Sequence, residues 1–351
     1  MNAIHFFSRR ESGRFHNPLA GGKLEAQEIE VREDPLLGHQ SLFNPALAGK
    51  VALVFPPTDQ AYLAERVEES VTTCFLCEGR WKVATPTWEE AFAPGGRVVK
   101  GRAVAFPNLF PLAGFHAVVM VGDEHRVATD EFSVELATDG FSAALEVMRR
   151  GAAMWPEYTH WSVNGNYLFP AGASIIHPHF QVLGSPGPGT RQARLIRACG
   201  QYLEKNGSEY FADLSAQEER DGARFLGRTG RAAWFTAFSP IGANEVQAVC
   251  KDLPNLSAWT EEDAKDLARG FCALLKGLHA LDRDTFNFSL FGASETGPEP
   301  GVSCLFSLVT RQNPFPHYRA DDHFFQKTLE NETMLYLPED LARRLRAHFP
   351  R

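Results

Sequence analysis

In the run Ala-Gly-Ala-Ser-Ile-Ile-His-Pro-His-Phe-Gln-Val-Leu-Gly, residues 171–184, His177, His179 and Gln181 alternate with apolar residues. Side chains two positions apart share one face of a strand. The spacing therefore predicts a strand over 174–184, with His177, His179 and Gln181 on one face and Ile176, Phe180 and Val182 turned into a core. Pro178 has no ladder donor, which predicts an edge strand or a local bulge. A neutral imidazole attacks phosphorus when one ring nitrogen is bare and its other N–H is held by an acceptor. A backbone carbonyl in a distorted strand supplies such an acceptor. The small residues just upstream, Gly172 among them, let the backbone approach a ligand closely. Asn166 and Ser174 add neutral donors of the kind a phosphate oxyanion requires. A half-exposed sheet explains a single histidine of this sort but not the cluster.

A second group with chemical reach is Cys74 and Cys77 in Thr-Thr-Cys-Phe-Leu-Cys-Glu-Gly-Arg. The C-x-x-C spacing suits a metal knuckle or a redox pair; a glycine close behind predicts a tight turn rather than a helix start, which favours metal. The remaining cysteines, 199, 250, 272 and 304, sit in apolar patterns and read as small core residues. The N-terminus carries charge where a signal peptide needs its apolar stretch, so a disulfide framework is not expected and a cytoplasmic location is. A net charge of −8 argues against a general nucleic-acid binder. No apolar run approaches the ~18–20 residues of a membrane span.

The elements that must carry these residues fall into two similar passages. In the first, a strand at 115–122 precedes a helix at 133–155, interrupted in pattern by Gly140, and strands at 159–169 and 174–184. The second has a strand at 244–251, a helix at 259–282 opened by Thr260 and Asp263 as a near capping box, and strands at 286–293 and 302–310. Both read strand–helix–strand–strand, which implies a duplicated α+β unit whose two sheets join into one. A connecting helix is expected at 190–207 and a C-terminal one at 337–349, whereas residues 1–50 show no clear element. The halves differ: Leu305 and Ser307 stand about where the first half has His177 and His179. One half carries the chemistry and the other serves as scaffold or substrate wall.

The stretch Asn-Tyr-Leu-Phe-Pro-Ala-Gly-Ala-Ser-Ile-Ile-His-Pro-His-Phe-Gln resembles the active-site signature of the galactose-1-phosphate uridylyltransferase family, a branch of the histidine-triad superfamily. The C-x-x-C knuckle, a lone histidine and H-P-H follow in the same order as in that family, and Arg-Glu-Asp-Pro at 32–35 echoes its start. The resemblance implies an α+β fold of duplicated histidine-triad-like units, antiparallel sheets flanked by helices, with one half at 1–189 and the other at 190–351. It implies His179 as nucleophile and Gln181 as the residue orienting a nucleotidylated intermediate, with Asn166, Ser174 and Gly172 at the phosphate. A structural Zn2+ would be held by Cys74, Cys77, His125 and His177, with His116 a competing third ligand. The implied activity moves a nucleoside monophosphate from a nucleotide sugar to a phosphorylated acceptor. Phosphorylase and hydrolase variants of the same chemistry, and a non-catalytic nucleotide-binding protein, are the alternatives. Some members hold a second metal on an H-x-H strand in the other half; Cys-Leu-Phe-Ser-Leu-Val-Thr lacks it, so no second metal is expected. Arg311, His323, Gln326 and Lys327 are candidate phosphate or sugar contacts, with surface ion pairing as the alternative for each. The resemblance leaves a homodimer open.

Overall fold

The computed structural model describes residues 3–49, 54–317 and 320–350. In chain order, a ribbon of β1 (Phe7–Asn17) and β2 (Lys23–Glu33) leads to β3 (Gln40–Phe43) and helix α1 (Gln60–Val71). The first half continues with β4 (Val98–Lys100), β5 (Ala103–Pro107), β6 (Phe115–Val121), α2 (Val134–Met154), β7 (His160–Tyr167) and β8 (His179–Ser185). After α3 (Thr190–Asn206) and α4 (Tyr210–Asp221) the second half runs through β9 (Phe225–Thr229), β10 (Ala232–Thr236), β11 (Val246–Cys250), α5 (Glu261–His279), β12 (Phe286–Phe291) and β13 (Cys304–Thr310). A short β14 (Glu332–Met334) and α6 (Pro338–Leu345) close the chain.

Ten strands form one antiparallel sheet in the order β4-β5-β6-β8-β7-β12-β13-β11-β10-β9. The order reads the same from either end, five strands from each passage, and the halves meet where β7 pairs with β12. This is the α+β duplication expected, with the two sheets fused. The join sets Asn166 opposite Asn287 and Asn164 opposite Ser289.

Each half lays its long helix on the same face of the sheet. Phe141 of α2 and Phe271 of α5 meet Phe180 and Phe288 from the strands, with ring centroids 5.0–6.4 Å apart. Burying such side chains stabilises by about 1.5–3 kcal/mol each. Gly140 does not interrupt α2. A Cβ there would lie 2.8 Å from the Phe180 ring, so the glycine lets the helix press against β8. Helix α5 begins as the sequence indicates, with Thr260 and Asp263 bonding each other's backbone N–H groups.

The sheet's other face is polar at its centre. Gln181, Asn164, Ser289, Ser307 and Gln247 are register neighbours across five consecutive strands. Residues 7–33, without a clear element in the sequence, form a two-stranded ribbon that is largely exposed until Val31 and Arg32 are buried at its end. It joins β3 and β14 in a second, four-stranded sheet. A strand solvated on both faces has no period-two apolar pattern to read.

Candidate active site and metal centre

The expected strand over 174–184 begins only at His179. β8 is also interior, between β6 and β7, rather than at an edge. Pro178 is tolerated because it stands just before the strand, where only its carbonyl is used: it accepts the Val121 N–H at 2.9 Å. His177 therefore leaves the sheet pattern and turns toward the cysteines, while His179 and Gln181 remain on the polar face.

The metal-ligand candidates converge. One ligand atom from each of Cys74, Cys77, His125 and His177 lies within 4.8 Å of the others. Cys77 Sγ is 3.1 Å from His125 Nδ1 and 3.4 Å from His177 Nδ1, and Cys74 Sγ is 4.0 Å from His177 Nδ1. Tetrahedral sulfur and nitrogen ligands at Zn distances are about 3.3–3.8 Å apart. Both imidazoles are turned to offer a bare Nδ1. His177 Nε2–H donates to the Gly122 carbonyl at 3.0 Å. The Ser70 hydroxyl donates to Val67, so its oxygen accepts from His125 Nε2–H at 2.8 Å. The knuckle makes the tight turn its sequence predicts, with Glu78 and Gly79 at φ 55° and 72°, and Arg80 binds the carbonyls of Val71, Thr72 and Cys77. Burial, then the neighbouring Cys74 sulfur, pushes the Cys77 thiol up to about 12. The Arg80 guanidinium offsets only part of that rise, and a reactive redox pair needs the opposite shift. The donor set fits a metal ion.

His116 does not join this cluster. Its Nδ1 accepts the Leu112 N–H at 3.0 Å, and its Nε2 meets Gln181 Oε1 at 2.8 Å.

His179 is held from below. Its Nδ1–H donates to the His177 carbonyl at 2.8 Å, which leaves Nε2 bare, and among the described residues nothing bonds that nitrogen. Burial lowers the pKa of His179 below the ordinary 6.5, partly offset by the bond to His177, so the ring is neutral near pH 7. Continuing the β7–β8 register by one step brings Asn166 level with His179. Asn166 Oδ1 accepts from Asn287 Nδ2 at 2.6 Å, which turns its own amide N–H groups away as donors. Between β7 and β8 the chain turns through Leu168, at φ 64° a strained left-handed residue, and through Gly172 at φ 85°. Asn287 pins this turn too, donating to the Ala171 carbonyl at 2.7 Å. Gly172 and Ser174 are exposed on it.

Arg311 and Gln326 are spent on other partners. Arg311 pairs with Asp321 at 2.5–2.7 Å and reaches the polar face only through Asn287 Oδ1, at 2.8 Å. Gln326 binds Glu332 and the His323 backbone. His323 caps the short turn that follows it, and Lys327 pairs with Asp322. Arg311, His323 and Gln326 line a cavity of about 590 Å³ that neither His179 nor Gln181 lines. One residue of the site, Asn287, alternating with phenylalanines in β12, is absent from the sequence expectations, and His116, there a competing metal ligand, stands instead on the face of β6 shared by Val118 and Met120. Their same-face spacing was the available signal, but what each faces is set by strand order.

Comparison with known proteins supports this geometry at the level of fold. No family model matches the chain. An uncharacterized protein of Archaeoglobus fulgidus is 29% identical over 330 residues, 93% of this chain and 94% of its own. An ADP-glucose phosphorylase from Arabidopsis thaliana superposes with a TM-score of 0.69 at 17% identity, over 91% of this chain and 98% of that one. A GalT-like protein from the same plant gives 0.69 at 16% identity over 90% and 98%. A uridylyltransferase mutant gives 0.65 at 18% over 91% and 98%. The chain has the galactose-1-phosphate uridylyltransferase-like fold. Within this uridylyltransferase-like fold, the Cys/His cluster sits directly behind the strand that presents His179.

Proposed function

We propose that this uridylyltransferase-like chain is a nucleotidyltransferase that works through a covalent histidine. The observation that carries the reading is the bond from His179 Nδ1–H to the His177 carbonyl, which fixes the ring with Nε2 bare on the polar face of the sheet. His179 Nε2 attacks the α-phosphorus of a nucleotide sugar; the bond to the bridging oxygen breaks and sugar 1-phosphate leaves with that electron pair. An oxygen of a second phosphorylated acceptor then attacks the same phosphorus and releases neutral His179, so each half-reaction exchanges one P–O bond for one P–N bond, or the reverse. Asn166 directs its amide N–H groups at the phosphoryl oxygens, and Gln181 holds the adduct. Ser174 and Gly172 edge the phosphate turn. Residues 1–189 carry this chemistry, and residues 190–351 supply Asn287 and the far wall.

Cys74, Cys77, His125 and His177 are the residues that would hold Zn2+. Four protein ligands make a closed site, so the ion supplies rigidity rather than a Lewis acid. His177 is the link: its ring belongs to the cluster and its carbonyl orients the nucleophile.

Intact-protein mass after brief incubation with UDP-glucose, UDP-galactose or ADP-glucose tests the reading. An acid-labile adduct of nucleoside-monophosphate mass, absent in His179→Ala, is the expected result; no adduct with any donor refutes it. The adduct mass names the base. Challenge of the labelled protein with inorganic phosphate, hexose 1-phosphate or water then separates phosphorylase, transferase and hydrolase.

A further inference from the structure

One histidine of the polar face that neither belongs to the metal cluster nor is the nucleophile bonds directly to Gln181. His116 lies on β6, diagonal to Gln181 on β8: the register pairs His116 with Leu183 and Val118 with Gln181, and diagonal neighbours on one face are within reach of long side chains. Its two ring nitrogens face different partners. Leu112 is a backbone donor, so Nδ1, 3.0 Å away, must be the bare nitrogen. The proton is then on Nε2, 2.8 Å from Gln181 Oε1. Asn108 Nδ2 is 3.2 Å from the same Nε2, but two donors do not pair; the other end of the Asn108 amide accepts from Phe110 N–H at 2.8 Å. The turn is closed by Asn108 N–H bonding the His116 carbonyl at 2.9 Å. Tautomer and ring position are thus set by the 108–112 backbone.

A glutamine amide has two orientations of nearly equal shape and opposite polarity. A fixed Nε2–H at Oε1 selects one. The amide N–H groups of Gln181 then point away from β6, and no acceptor among the described residues takes them. We propose that His116 is a positioning residue: it locks Gln181 with its N–H groups presented to the phosphoryl group on His179. The proposal rests on the nucleotidyl-transfer reading. The donor remains correctly aimed only while the 108–112 turn keeps its shape, so that turn and the intermediate are coupled through one imidazole.

The test is a double-mutant cycle with His116→Phe and Gln181→Ala, read as the single-turnover rate of adduct formation with whichever of UDP-glucose and ADP-glucose labels the wild type. His116→Phe should slow labelling by about tenfold or more with donor affinity nearly unchanged. His116→Gln, which returns a donor near the same place, should recover most of that rate. In the Gln181→Ala background His116→Phe should cost less than about twofold further, because the orientation it controls no longer matters. Wild-type labelling by His116→Phe, or an undiminished loss in the Gln181→Ala background, overturns the proposal. Imidazole ¹⁵N resonances of His116 decide the contact without any turnover. A proton on Nε2 supports it and a proton on Nδ1 overturns it, even if no donor labels the wild type and the nucleotidyl-transfer reading fails by itself.

Discussion

Asn287 comes from the half without the histidine motif, yet it makes three bonds at the site. It donates to Asn166 Oδ1 at 2.6 Å and to the Ala171 carbonyl at 2.7 Å, and accepts from Arg311 Nη1 at 2.8 Å. Asn287→Ala removes two neutral bonds of about 0.5–1.5 kcal/mol each and one charge-assisted bond of about 1.5–3 kcal/mol. Water refills part of this half-buried space, so a net loss of about 2–4 kcal/mol is expected. Asn287→Asp separates stability from chemistry. Its carboxylate keeps Arg311, now as an ion pair, so it should unfold at a higher urea concentration than the alanine variant. The same carboxylate, however, places an acceptor against Asn166 Oδ1 and against the Ala171 carbonyl, which offsets part of the ion pair's gain. The Asn166 amide must flip to donate to it, and its oxygen then faces the phosphate. Losing one donor aimed at a developing oxyanion costs about 10²–10³ in rate. Asn287→Asp is therefore the more stable and the slower of the two variants, measured by urea unfolding and by single-turnover labelling of His179. If it labels at the wild-type rate, Asn166 is not oriented by this bond and the assignment of its donors is wrong.

Three further outcomes follow from the geometry. Metal analysis should find about one zinc ion per chain. Cys77→Ser or chelation should lower both the melting temperature and His179 labelling, since the residue whose carbonyl orients the nucleophile is also a ligand; a site filled at ~1,000 times its Kd contributes about 4 kcal/mol to stability. Retained labelling in the metal-free protein would contradict that link. Burial lowers the pKa of His116 and of His179 below the ordinary 6.5. The folded chain thus binds these protons less readily than the unfolded chain: their effect on stability is absent above about pH 6.5, and stability is lost as pH falls from there toward the folded-state values. The acid limb of labelling should likewise lie below pH 6.5, and a limb above that value would show that His179 is not held neutral by burial. Gly165→Ala builds a Cβ 2.1 Å from the Phe288 ring. Overpacking of this kind costs about 1–3 kcal/mol, visible as a lowered urea midpoint; an unchanged midpoint would mean that the β7–β12 join is more yielding than its packing indicates.

The sequence by itself determined the duplicated strand–helix–strand–strand order, the long helices and the C-x-x-C knuckle, because periodicity and spacing are local properties of a chain; His125 and His177 joined that knuckle only through the resemblance to a known family. H-P-H-x-Q likewise placed His179 and Gln181 together, since residues i and i+2 share a strand face wherever that strand lies. Only the tertiary structure decided which strands are neighbours. The pairing of β7 with β12 makes Asn287 part of the site, the pairing of β6 with β8 makes His116 a partner of Gln181 rather than of the metal cluster, and the fused interior sheet explains why Pro178 marks a strand's entrance instead of an edge. Arg311 and Gln326, with the right chemistry for a phosphate, are spent on Asp321 and Glu332 by a segment that folds back over the second half. Such bonds join residues 65 to 121 positions apart, as at His116 and Asn287, or depend on how a loop packs, as at Arg311 and Gln326. No local pattern of apolar and polar residues encodes them.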